Sequence, residues 1–314
     1  MSQNVYSLSE MPMSLPRITP RITLRAGGLV RMVCCLAVAL AASLSAAPGT
    51  AQQTGDLTRY YQQMEARLVS QGNLRQDRQV RGLDTPTLAR NFMSIAMRTE
   101  YSPTGGAASS GYSPLRRWED PVRLGVHFGA SVSGAQQRRD LAAVQGVAQR
   151  LHRATGHPIR MVTANANFHV LVLNEQERAN VRNTLLRIAP GLSRAAQSAV
   201  LSMRPDTFCL VLAIPHNTPE NGFRQAIAIV RAEHPPRMRQ SCMEEELAQG
   251  MGLTNDSPEA RPSIFNDDEE FGVLTRHDEL LLRMLYDDTL RCGMSANDVV
   301  PRLEAVAQAA LSSG

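Results

Sequence analysis

No lysine occurs in the 314 residues, so all 33 basic side chains are arginines. They are scattered without a basic block, and aromatic residues make up only 4% of the chain. Nucleic-acid surfaces need clustered cations and often stacking rings, so no nucleic-acid partner is expected. Long apolar runs are missing too. MVCCLAVALAASLSAA, at 32–47, is shorter than the roughly 20 residues a membrane-spanning helix requires. No G-x-S-x-G, P-loop or C-x-x-C is present, which leaves hydrolase-elbow, nucleotide-hydrolase and thioredoxin-type readings without support. The chain shows no internal repeat.

The short apolar run instead has the parts of a secretory leader. Arg17, Arg21, Arg25 and Arg31 precede it, and PGTAQQ follows with a small-x-small site ending at Ala51. Residues 1–51 therefore read as a signal peptide, and the mature product as periplasmic or secreted with no stable membrane anchor. Without that leader 29 basic residues face 28 acidic ones, so the mature chain is close to neutral. Its cysteines are Cys209, Cys242 and Cys292. In an oxidising compartment two of three are expected to pair, and Cys209–Cys242 would tie a strand to a helix. The alternative is three buried thiols.

Hydrophobic periodicity divides the mature chain into an N-terminal helical segment (52–101), a Gly/Ser-rich linker (102–117) and a main domain (118–314). Leu57, Tyr60, Tyr61, Met64 and Leu68 form one helical stripe. Leu88, Phe92 and Ile95 form another, opened by Asp84 or Thr85 and Pro86. PVRLGVHFG, IRMV, NFHVLVLN, FCLVLAIP and QAIAIVRAE read as strands, with helices at 138–156 and near 175–187 between them. The expected class is α/β (α+β), with helices layered on one mixed sheet.

The stretch CMEEELAQGMGLTND carries the most specific spacing. Glu245 and Gln249 lie a turn apart on one helical face, Glu246 follows the first, and Gly252 permits the chain to reverse before Asn255 and Asp256. Further on, PSIFND places Ser263, Ile264, Phe265 and Asn266 in a turn, and LTRHDELLLRMLYD opens a second helix. Taken in order, these three elements resemble the catalytic core of a metzincin zinc peptidase. Glu245, Glu246, Gln249, Gly252 and Asn255 stand at the fixed positions of H-E-x-x-H-x-x-G-x-x-H, and Phe265 replaces the methionine of the Ser-Ile-Met turn. From EYSP onward, the EELAQ, GL-ND and SIFND strings also resemble an uncharacterised proteobacterial family of unknown function.

The resemblance implies a zincin-like fold whose metal site has been dismantled. Glu246 keeps the type of the general base, but three histidines are replaced by one carboxylate and two amides, which are poor zinc ligands. The expected function is a non-catalytic domain that binds a peptide or envelope component, with no cofactor. The alternative is a metal-dependent hydrolase with an oxygen-rich site of Glu245, Glu246 and Asp256. Calcium at Asn266, Asp267 and Asp268 is a lesser candidate. The bland reading of Glu244–Glu246 is a solvated acidic first turn of a helix. His277 and Asp278 read as capping residues after Thr275.

Overall fold

A computed structural model describes residues 48–98, 111–266 and 268–313. The expected leader apart from its last four residues, most of the expected linker and Asp267 lie outside the described residues. Among the described residues, no helix is long and apolar enough to cross a membrane.

A five-stranded mixed sheet forms the centre, in the order β2–β1–β3–β5–β4. Strands β1 (Val122–Phe128), β2 (Ile159–Met161), β3 (Phe168–Leu173) and β5 (Phe223–Arg231) run parallel, and β4 (Cys209–Pro215) lies antiparallel to β5 at the edge. Every residue of β3 is buried, as expected for a strand covered on both faces. On one face pack α3 (Gly134–Thr155), α7 (Pro236–Met251) and α8 (Arg276–Leu285), with Leu124, Phe168, Leu247 and Met251 in one buried cluster. Helix α3 is capped by Ser133 and ends at Gly156, whose φ of 69° suits the left-handed turn.

The opposite face is covered by α4 (Glu175–Ala179), α5 (Arg182–Ile188) and α6 (Arg194–Leu201) over Leu171, Leu173, Ile227 and Ile229. The single helix expected at 175–187 is thus broken. Asn174 and Glu177 close a capping box on α4, which stops at Asn180, and α5 begins after Val181. Helix α6, with its own Ser193 cap, is an element that the sequence pattern does not announce.

Two helices precede the sheet. In α1 (Pro48–Ser70), Tyr61 is fully buried with Leu74 and Met238, and its hydroxyl donates to the Pro205 carbonyl at 3.0 Å. In α2 (Thr85–Ile95), Asp84 accepts from the Thr87 amide at 2.9 Å, and Leu88, Phe92 and Ile95 join the main core. The chain closes with α9 (Ala296–Val299) and α10 (Leu303–Ser312), whose Val306, Ala307 and Ala310 are buried in the same core.

Cys209 and Cys242 form a disulfide with Cα atoms 5.7 Å apart, joining β4 to α7 as expected. Closing this loop of 33 residues contributes about 3–4 kcal/mol in the chain-entropy account. Cys292 is a buried thiol, and burial pushes its pKa up to about 12.

Candidate functional site

Helix α7 begins at Pro236, well before the acidic run, so Glu244–Glu246 lie in its third turn. The reading of a solvated first turn is therefore overturned. Twelve of the sixteen residues of α7 are buried, because the sheet covers one side and α3 packs on another. Leu247 and Met251 face the core, as the four-residue spacing predicts.

The three glutamates have different surroundings. Glu244 is buried and held by a fork from the Arg78 guanidinium, with both N–O distances 2.5 Å, and by the Leu274 amide at 2.8 Å. Glu245 is half-buried and Glu246 only 4% exposed, and both line a cleft. Gln249, one turn on, lines it too and donates from Nε2 to Asp256 Oδ1 at 3.1 Å.

The chain reverses at Gly252, where φ is 126° and an added Cβ would lie 2.6 Å from the Arg116 carbonyl oxygen. Only glycine satisfies both constraints. Gly250 meets a similar limit, since a Cβ there would press into the Phe168 ring, and its carbonyl accepts from Trp118 Nε1 at 2.8 Å. Beyond the reversal Thr254 and Asp256 line the cleft, whereas Asn255 donates to the Ser94 carbonyl of α2 at 3.0 Å and to the Asp256 carbonyl at 2.6 Å.

The cleft has a volume of about 420 Å³ and runs between α7 and edge strand β4. Cys209, Val211 and Ala213 form the strand wall, with Pro215 and Phe223 at one end. Five carboxylates line it (Asp206, Glu245, Glu246, Asp256 and Glu269), and Arg116 is the one cation among the described lining residues. The disulfide joins the two walls directly. A small recess between Cys209 and Cys242 brings Glu245 and Glu269 to the same end.

The zincin pattern is tested by its three ligand positions. Gln249 is engaged with Asp256 and Asn255 is turned towards α2, so Glu245, Gln249 and Asn255 present no common donor set. Among the described residues, no three His, Cys, Asp or Glu side chains are placed to hold a metal ion. These residues do not fit a zinc centre.

The downstream turn has a clear structural basis. Asp278 is fully buried and accepts from Ser263 Oγ at 2.5 Å, the Ile264 amide at 3.2 Å, the Thr275 amide at 2.8 Å and His277 Nδ1 at 3.2 Å. Asn91 of α2 occupies the other ring nitrogen of His277 at 2.9 Å. Thr275 and Asp278 also close the capping box of α8, so the capping expectation holds and the same carboxylate pins the Ser263–Ile264–Phe265 turn. Phe265 is fully buried in the core that contains Leu247 and Met251. The acidic loop that follows is ion-paired: Arg261 bonds Asp268 and Glu270, Arg75 bonds Glu270 at 2.9 Å, and Asn266 donates to Glu270 at 3.2 Å. Of the calcium candidates, Asp267 lies outside the described residues.

Sequence reasoning passes over Arg78, Arg116, Asp206, Glu269 and Trp118. Arg78 and Glu244 are 166 residues apart, so no local spacing announces their pairing. The lone tryptophan is the available signal for a close contact. His127 and His169 also show no ligand spacing, yet the β1–β3 register sets their nitrogens 3.1 Å apart.

The fold and site define a mixed α/β domain with an acidic cleft between an edge strand and a buried helix. The chain belongs to the family described as Protein of unknown function (DUF2927), which matches residues 85–305. No curated protein and no solved structure matches it.

Proposed function

We propose that this chain is a secreted or periplasmic, zincin-like but non-catalytic domain that binds an extended peptide segment of an envelope or extracellular partner. The single observation that carries the reading is the position of β4. Among the described residues β4 has a strand neighbour only in β5, and it forms one wall of the cleft. An exposed strand edge offers backbone donors and acceptors to an incoming extended chain, and the cleft supplies room for alternate side chains.

The metzincin resemblance supports descent from a peptide-handling fold, while the residues at its ligand positions speak against hydrolysis. Glu246 keeps the type of the general base, but the carboxylate and two amides at the ligand positions are a poor donor set for the zinc ion that lowers the pKa of the attacking water in a zincin. The disulfide supports an oxidising compartment.

The reading is tested by panning a random nonapeptide display library against the mature chain. Enriched peptides should slow amide hydrogen exchange at residues 209–215. Peptides that bind without protecting that strand, or a library that yields none, would overturn it.

A further inference from the structure

The cleft is chemically uneven, and its unevenness specifies an occupant. The following inference rests on the strand-edge reading above. The mature chain is close to neutral, with 29 basic against 28 acidic residues, yet five carboxylates and one guanidinium line this cleft. The local field is therefore built by the fold and does not follow from net charge.

Position along the strand sharpens this. Glu245 and Glu269 gather at the end where β4 begins, next to Cys209. Asp206, three residues before Cys209, also lines the cleft but is paired with Arg204 at 2.8 Å, so the two glutamates carry the charge at this end. Four residues further on, Ala213, Pro215 and Phe223 give an apolar end. At about 3.3 Å per residue the two ends are roughly 13 Å apart, the span of four residues of extended peptide. The two ends therefore face different side chains of one bound strand. The acidic end is also held in place: the disulfide fixes β4 against α7 three residues before Glu245, so a ligand meets a preorganised wall.

We infer that the cleft selects an extended peptide carrying arginine or lysine where it faces the Cys209 end, with an apolar side chain about four positions away against Ala213 and Phe223. Charge complementarity commits the occupant to a basic segment. An acidic segment would place like charges side by side in a partly desolvated site. The basic side chain joins carboxylates that already have neighbours, so the inference depends on excess negative charge and not on any carboxylate being unpartnered.

The test uses the full mature chain and three labelled nonapeptides of alternating valine and threonine, with a single arginine, glutamine or glutamate at the same position, read by fluorescence anisotropy. The arginine peptide is expected to bind at least tenfold more tightly than the glutamine peptide, and the glutamate peptide more weakly still. Raising the salt concentration should narrow that margin. In Glu245→Gln and Glu269→Gln chains the affinity ratio of the arginine to the glutamine peptide should fall severalfold. Circular dichroism checks that both variants fold. Equal affinity for the arginine and glutamine peptides, with β4 still protected from exchange, overturns the charge inference and leaves strand binding standing. Absence of binding by all three peptides and by the library overturns both. A preference for arginine that survives both substitutions overturns the assignment to this end of the cleft.

Discussion

Two polar groups near helix ends teach opposite lessons. Asp278 is fully buried, and its oxygens accept from four donors drawn from the Ser263 turn, Thr275 and His277. The Gln249–Asp256 pair makes a side-chain bond of 3.1 Å but lines an open cleft. The first group uses its capacity inside the fold, where unsatisfied groups are costly. The second faces space that a ligand can fill. Both belong to motifs that the metzincin resemblance singles out, but the first is structural and the second belongs to the candidate site.

The largest effect that could break this contrast is the loss of the first group. Asp278→Ala strands four buried donors and should destabilise the chain by about 3–5 kcal/mol in urea unfolding. A change below about 1 kcal/mol would mean that the turn does not depend on the carboxylate.

Acidification strikes a different buried group. His234 is buried, rests edge-on against Tyr61 with ring centres 4.5 Å apart, and lies 3.7 Å from Cys242 Sγ. Burial, with Arg231 and Arg239 adding to it, lowers its pKa to about 3. His169, lowered to about 4 chiefly by burial and then by His127, behaves alike. Below the unfolded value near 6.5 the unfolded chain binds protons that the folded chain refuses. Stability is thus full above pH 6.5 and falls as pH drops towards 4, by up to about 1.4 kcal/mol per pH unit for each histidine. Denaturant midpoints measured from pH 7 to 4 check this, and His169→Gln should flatten part of the slope.

Gln249→Leu removes the donor to Asp256 and should cost about 1–3 kcal/mol, measured by thermal unfolding. In the parent chain, zinc or a chelator should leave the melting temperature unchanged. A rise with zinc that a chelator reverses would restore the metal reading of the cleft. Glu245→Gln sharpens the contrast from the other side. Glu245 is half-buried and faces the cleft, so stability should move by no more than about 0.5 kcal/mol while peptide selectivity changes.

Much of the fold is legible because each strand carries its own period. All five strands, α1, α2 and α3 can be read from residues close together in sequence. The Cys209–Cys242 bridge, 33 residues apart, is legible from the cysteine count and the expected oxidising compartment. The start of α7 is harder to read because PPRMRQSC has no strong apolar stripe, and a helix buried on several sides does not show a single apolar face. Helices α6 and α10 are short, and they are held by tertiary packing of a few residues such as Val200 and Ala307. In the site, Gln249 and Asp256 are visible as a spacing. The turning of Asn255 towards Ser94 is not, since Ser94 belongs to a helix 161 residues away.

By itself the sequence determined what depends on neighbours along the chain: the periodicity of strands and helices, the caps at Asp84 and Thr275, and the need for glycine at the end of α7. Tertiary structure alone decided which of three consecutive glutamates is paired with Arg78 and which face the cleft. It also decided that β4 is an edge strand, because edge position follows from sheet order and leaves no mark in the strand's own alternation. Adjacent residues on a helix point about 100° apart. Their environments are therefore set by whatever packs on each side, and that information lies far away in the chain.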